Sequence, residues 1–296
     1  MAPVRVGTRG SALALAQAGM VAAMLPEDAE LVEIRTAGDR GEVGDKSRFV
    51  KEIEEALLAG EVDLAVHSAK DVPAQTPDGL AIVGVPERED ARDALCGAAS
   101  LDDLPDGASV GTSALRRRAQ LLAARPDLRV EGLRGNVDTR LRRLGDGDYD
   151  AVVLAAAGLR RLGRAGAGAP IDPAVLTPAP GQGCLALEAR RDDQRAAELA
   201  AAITDRDSLI RLTAERAVVE RLDASCHTPV AAYAQLDGDA LVLDAFAGLP
   251  DGSVWIRDAV EGDAGDPGGL GLEVAERLLA AGAAELLAEA ERLAAA

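Results

Sequence analysis

Two stretches of the chain gather arginines beside hydroxyls, a glycine and an asparagine. They are Gly111-Thr112-Ser113-Ala114-Leu115-Arg116-Arg117-Arg118 and Leu133-Arg134-Gly135-Asn136-Val137-Asp138-Thr139-Arg140. A guanidinium offers two parallel N–H donors that match the two oxygens of a carboxylate or phosphate. General basicity does not explain the clustering, because the formal net charge is -18. Arg116 and Arg117 open a predicted helix, where the macrodipole disfavours a cation unless an anion is close by. Helix N-termini add donors of their own. The pattern predicts a site for a small molecule that carries several carboxylates. Arg118, Arg142 and Arg143 fall on helix faces where solvation or pairing one turn away is explanation enough.

Two further motifs hold reactive groups. His67-Ser68-Ala69-Lys70-Asp71-Val72-Pro73 follows a predicted strand, the position at which α/β proteins place functional residues. Asp71 is a carboxylate that could move a proton or stabilise a cation; its ordinary alternative is a capping or turn aspartate. His67 likewise has an ordinary reading as a hydrogen-bonded strand-end histidine. Cys226 lies in the polar loop Asp223-Ala224-Ser225-Cys226-His227-Thr228-Pro229 and is a candidate nucleophile, against the commoner role of a small apolar filler. Cys96 and Cys184 sit in apolar, strand-like contexts and read as structural. The three cysteines show neither metal-ligand spacing nor a disulfide framework, which fits a reducing cytoplasm.

The elements that would position these groups are those of an α/β protein. Strand and helix patterns alternate through the first two thirds of the 296 residues, implying lobes with mixed sheets. An internal echo points to two similar lobes. Val6-Gly7-Thr8-Arg9-Gly10-Ser11 ends a strand and opens a helix, as Val110-Gly111-Thr112-Ser113 does later, and both helices carry a glutamine (Gln17 and Gln120). Residues 60–66 parallel residues 147–153 in the same way. Arg9 and Ser11 thus hold in the first lobe the place that the arginine motif holds in the second. The expected division is residues 1–88 with 184–201, residues 93–177, and an α+β domain over 206–296 that carries Cys226. In that last domain a helix over 208–222 precedes three strands, and one long helix over 270–294 finishes the chain.

Composition bounds the partners. Acidic residues number 50 and lysines only three, Lys46, Lys51 and Lys70, so no broad positive field exists for nucleic acid or anionic membranes. No segment reads as a signal peptide or a membrane span. Aromatics make up 2% of the chain, so alanine, leucine and valine must fill the cores. A two-lobed protein that captures a carboxylated ligand without turnover is the alternative to an enzyme; Cys226 in its loop and the third domain argue against it.

Taken in order, the motifs are similar to those of one family along almost the whole chain. They are Thr8-Arg9-Gly10-Ser11, Phe49-Val50-Lys51-Glu52, residues 67–73, Gly111-Thr112-Ser113, Leu115-Arg116-Arg117, Arg134-Gly135-Asn136-Val137, Thr139-Arg140, Gly181-Gln182-Gly183 and Ser225-Cys226. The chain resembles the porphobilinogen deaminases, also called hydroxymethylbilane synthases. The resemblance implies two lobes like those of periplasmic binding proteins plus a small α+β domain. It implies a monomeric cytoplasmic transferase of tetrapyrrole biosynthesis that joins four porphobilinogens head to tail, releasing ammonia. A dipyrromethane cofactor would be held covalently by Cys226, with Ser68, Lys70, Asp71, Thr112, Ser113, Arg116, Arg117, Gly135 and Asn136 around it. Arg9, Ser11, Gln17, Lys46, Arg134, Arg140 and Gln182 would bind substrate, and Asp71 would be catalytic. Asp39 and Lys46 match positions on a loop of the family. Three departures stand out: Ala114 replaces a usual serine, Glu42 stands where some members have lysine, and Arg164 does not clearly replace a further family arginine.

Overall fold

The computed structural model describes residues 2–37, 49–224 and 228–295. Two compact units divide the chain, Met1–Glu89 with Gly183–Leu212 and Asp90–Gln182 with Thr213–Ala296. The first opens with β1 (Val4–Arg9), α1 (Ala12–Met24), β2 (Ala29–Ile34), α2 (Lys51–Leu58), β3 (Leu64–Ser68) and β4 (Leu80–Gly84). The second begins with β5 (Asp93–Cys96), β6 (Ser109–Gly111), α3 (Leu115–Ala124), β7 (Arg129–Glu131), α4 (Val137–Gly145), β8 (Ala151–Ala155), α5 (Ala156–Arg161) and β9 (Ala169–Pro170). The chain returns to the first unit with β10 (Leu185–Arg190) and α6 (Gln194–Ala202); α7 (Arg206–Arg221) starts there and runs on into the second. Then follow β11 (Val230–Asp237), β12 (Ala240–Gly248), β13 (Trp255–Asp263), α8 (Pro267–Ala280) and α9 (Ala283–Ala295).

Each unit holds a five-stranded mixed sheet of the same design. The orders are β2-β1-β3-β10-β4 and β7-β6-β8-β5-β9. In the first, β1 runs parallel to β2 and β3, while β10 is antiparallel to β3 and β4. In the second, β6 runs parallel to β7 and β8, while β5 is antiparallel to β8 and β9. The echoing segments of the sequence occupy equivalent strands, β1 with β6 and β3 with β8. In both sheets the antiparallel inner strand is the first strand made after the chain crosses between units. The second unit also carries a three-stranded antiparallel sheet, β11-β12-β13, with α8 and α9 against it.

Local chemistry sets the helix ends. Ser11 caps α1 by accepting from the Ala14 amide at 3.3 Å, and Asn136 caps α4 by accepting from Thr139 at 2.9 Å. Asp266 caps α8, which begins with Pro267, a residue whose fixed φ suits a first helical turn. The expected single helix over 270–294 is two helices. Gly282 has φ 98°, a left-handed conformation that alanine avoids, and it separates α8 from α9.

Both faces of the first sheet are packed. Val4, Val6, Val66, Leu185 and Leu187 meet α1 and α6 on one side; Ile53, Leu57, Val62, Ala65 and Leu80 fill the α2 side. Small aliphatic residues do the filling, as the scarcity of aromatics requires. Phe246 is an exception, buried on β12 and stacked on Trp255 with ring centroids 6.3 Å apart.

Candidate functional site

In the first unit the site residues cluster because β1 and β3 are adjacent and parallel. Their carboxyl ends open at one sheet edge, with Arg9 and Ser11 after one strand and Ser68 to Asp71 after the other. Gln17, buried on α1, bonds Ser68 Oγ at 3.0 Å and so ties the two strand ends together. Arg9 lies over the Phe49 ring, 4.5 Å from its centroid. Residues Ala69–Asp71 form one 3-10 turn, held by the Ala69 amide donating to the Cys184 carbonyl at 3.1 Å. Lys70 is partly exposed. The Asp71 carboxylate is also partly exposed and has no hydrogen-bond or ion-pair partner among the described residues.

In the second unit the site residues follow β6, the counterpart of β1, and β7, the counterpart of β2, which runs parallel beside it. Thr112 is buried, and its hydroxyl accepts from the Ala114 amide at 3.3 Å; Ser113 beside it is exposed. After β7, Gly135 turns with φ 116°, where a Cβ would come within 2.9 Å of Thr139, so only glycine fits. Asn136 then caps α4, and Arg140 Nε donates back to the Gly135 carbonyl at 2.8 Å. Arg134 is exposed, with no hydrogen bond or ion pair among the described residues.

Arg116 and Arg117 are placed differently from a pair of open forks. Both are buried, and both point to Asp93 on β5, itself fully buried, with N–O distances of 2.7 Å. Arg117 also donates to the Val153 carbonyl, Arg116 to the Thr177 carbonyl, and Gln182 to Asp93 at 2.9 Å and to the Ala91 carbonyl at 2.7 Å. The anion that the helix-end argument calls for is therefore present inside the protein. Burial alone would raise the Asp93 carboxyl, but the charges of Arg116 and Arg117 prevail and hold it at about 2. Two guanidinia share one carboxylate, so the trio carries a net positive charge.

Four buried acids among the described residues escape a reading of the sequence, Glu54 on α2 and three that are wholly enclosed. Asp93, Glu188 and Glu215 are each 0% exposed. Glu215 accepts from the Gly181 amide at 2.6 Å and the Ala234 amide at 2.8 Å, joining α7 to the loop before the crossing and to β11. The one signal in the sequence is a lone acid inside an apolar run, as in Leu185-Ala186-Leu187-Glu188-Ala189. Cys96 and Cys184 are buried free thiols, and burial pushes Cys96 up to about 11, which makes it a poor nucleophile. Arg164 pairs with Asp138 at 2.8 Å and Arg143 with Asp148 at 2.7 Å. Cys226 and Lys46, with Asp39, Glu42, Ser225 and His227, lie outside the described residues. Among the described residues no helix is long and apolar enough to cross a membrane, and no group of His, Cys, Asp and Glu could hold a metal ion.

Comparison with known proteins covers both halves of this arrangement. Residues 4–198 match the family model "Porphobilinogen deaminase, dipyromethane cofactor binding domain" and residues 209–280 match "Porphobilinogen deaminase, C-terminal domain". A porphobilinogen deaminase of Paracoccus denitrificans is 51% identical, over 93% of this chain and 93% of its own. One from Thermus thermophilus is 50% identical, over 98% of this chain and 99% of its own. Among solved structures, a periplasmic substrate-binding protein of an ABC transporter from Coxiella burnetii aligns at 16% identity and a TM-score of 0.45, covering 70% of this chain and 94% of that one. The arginine motifs, the strand-end aspartate and the third, antiparallel sheet are thus parts of one enzyme, and the chain belongs to the porphobilinogen deaminase family.

Proposed function

We propose that the protein is a transferase that condenses four porphobilinogens head to tail to hydroxymethylbilane, releasing one ammonia at each joining, as a monomer in the cytoplasm. The observation that carries the catalytic assignment is the Asp71 carboxylate, just after β3 and without a partner among the described residues. Loss of ammonia leaves a cation on the substrate, and a fixed negative charge close to it lowers the barrier. Asp71 also accepts hydrogen bonds from pyrrole N–H groups and assists loss of the protonated amine, which leaves as ammonia.

The donor set suits a dipyrromethane, whose two pyrroles bear an acetate and a propionate each. Ser113 and Arg134 are exposed, and the net positive charge of Arg116, Arg117 and Asp93 on the same unit favours carboxylates. Cys226 would hold this cofactor through a thioether, with Ser68, Lys70, Asp71, Thr112, Ser113, Arg116, Arg117, Gly135 and Asn136 as its surroundings. Bound there, it supplies the pyrrole carbon to which the first porphobilinogen is joined. Arg9, Ser11, Gln17, Lys46, Arg134, Arg140 and Gln182 hold the carboxylates of incoming substrate or the groups that orient them. A charge-assisted hydrogen bond to such a carboxylate contributes about 1.5–3 kcal/mol before desolvation costs.

Intact mass and peptide mapping test the assignment. Cys226→Ala is expected to lack a covalent dipyrrole, whereas Cys96→Ala and Cys184→Ala keep it. An adduct on the peptide of Cys96 or Cys184 would overturn the anchoring role, and a bare mass for the parent protein would favour capture of a ligand without turnover.

A further inference from the structure

On the α2 side of the first sheet, among fully buried aliphatic side chains, sits a histidine–carboxylate pair that the proposed chemistry does not use. His67 Nε2 lies 3.1 Å from Glu188 Oε2, and the two side chains are 3% and 1% exposed. The other oxygen, Glu188 Oε1, is buried with no hydrogen-bond partner. Glu54 on α2 is buried nearby, and desolvation together with the Glu188 charge pushes its carboxyl up to about 7. A polar pair in such surroundings gives little net stability. Well-packed apolar residues of similar volume are commonly as stable or more so, and the orphaned oxygen adds a desolvation cost.

What the pair does supply is register. On antiparallel β3 and β10, Ala186 is opposite His67 and Ala65 is opposite Glu188, so His67 and Glu188 are diagonal neighbours on the same face. A slip of one residue would turn one of them to the other face and break the contact. The same strand pair positions the turn that carries Asp71. Leu185 is opposite Ser68, and the Cys184 carbonyl holds the Ala69 amide. β10 comes from 117 residues further along the chain than the register partner it meets in β3 (Leu185 against Ser68), and it is flanked by a register irregularity on its β4 side. We infer that Glu188 is a positioning residue for the reaction: bonded to His67, it fixes the register of β10 on β3 and thereby the place of the Asp71 carboxylate. This rests on the assignment of Asp71 as the catalytic carboxylate.

The test uses full-length protein with matched cofactor occupancy. Glu188→Gln keeps the shape and replaces the carboxylate that meets His67 Nε2 with an amide. Its kcat for porphobilinogen is expected to fall about tenfold with KM within twofold, because Arg9, Arg134 and Arg140 lie outside the β3–β10 pair while the reacting carboxylate is displaced. Adding His67→Gln to Glu188→Gln makes an amide pair that can bond across the same diagonal, and kcat is expected to return to within threefold of the parent. A Glu188→Gln kcat within twofold of the parent overturns the inference, as does a double variant no faster than the single one. Asp71→Asn in the same assay separates the two ideas. If it is slow while Glu188→Gln is normal, only the positioning role fails. If Asp71→Asn is itself normal, the assignment of Asp71 fails and takes the positioning role with it.

Discussion

Asp71 and Asp93 show how surroundings divide the work of one residue type. Asp93 is enclosed by two guanidinia and an amide that saturate its oxygens and keep it ionised far below neutral pH. It holds its neighbours in place and has nothing left to offer a substrate. Asp71, on a turn at a strand end, keeps its oxygens available. Asp71→Asn preserves shape and removes the charge, so turnover is expected to fall by about two to three orders of magnitude in folded protein. Asp71→Glu keeps the charge one methylene away and is expected to retain more activity than the asparagine variant. Hydroxymethylbilane trapped as uroporphyrin gives the rate. Near-parental turnover by Asp71→Asn would mean that another group carries the cation.

At the scale of elements, the helix α2 buries Glu54 against the sheet, and the sign of its effect on stability can be worked out. The folded carboxyl titrates at about 7, above an ordinary value of 4.5. Below the ordinary value both folded and unfolded chains hold the proton, and the contribution to stability is fully present. As pH rises through about 7 the folded state loses the proton too, and that contribution is gone. The loss is about 3 kcal/mol at most. Glu54→Gln cannot titrate, so its urea midpoint is expected to change less between pH 5 and pH 8 than that of the parent; equal changes in both would rule the effect out. Asp93, held low, works the other way: its contribution is present above about pH 4 and lost toward pH 2. How far these elements could be read from sequence follows from the range of the forces. The helix over 137–145, the strands of the third sheet and the strand-end placement of Asp71 follow from local periodicity and turn residues. The break at Gly282 lies within an apolar helical run, and periodicity carried the reading past it. The partners of Arg116 and Arg117 could not be read at all, because Asp93 is 23 and 24 residues away and nothing local marks it as their anion. The same holds for His67 and Glu188, separated by 121 residues.

At the scale of the whole chain, the two five-stranded sheets share a strand order but not a history along the sequence. The second sheet is contiguous, every strand lying between Asp93 and Pro170. The first needs β10, which sits between β3 and β4 and is supplied only after the second has been made. During synthesis the N-terminal segment therefore leaves the ribosome as a sheet with a gap, the exposed edge of β3 waiting for a strand that has not been translated. The second sheet can close first, against the usual order in which the N-terminal part of a chain folds first. Truncated chains ending at Gln182 or at Leu212 test this by limited proteolysis. The shorter chain is expected to be cut within residues 4–84 while residues 93–170 resist, and the longer one to be protected in both. Equal protection of residues 4–84 in the two chains would show that the gap is of no consequence. An unfilled sheet edge is a template for foreign strands, so the interval between translating β4 and translating β10 is when a nascent chain of this protein most needs a chaperone.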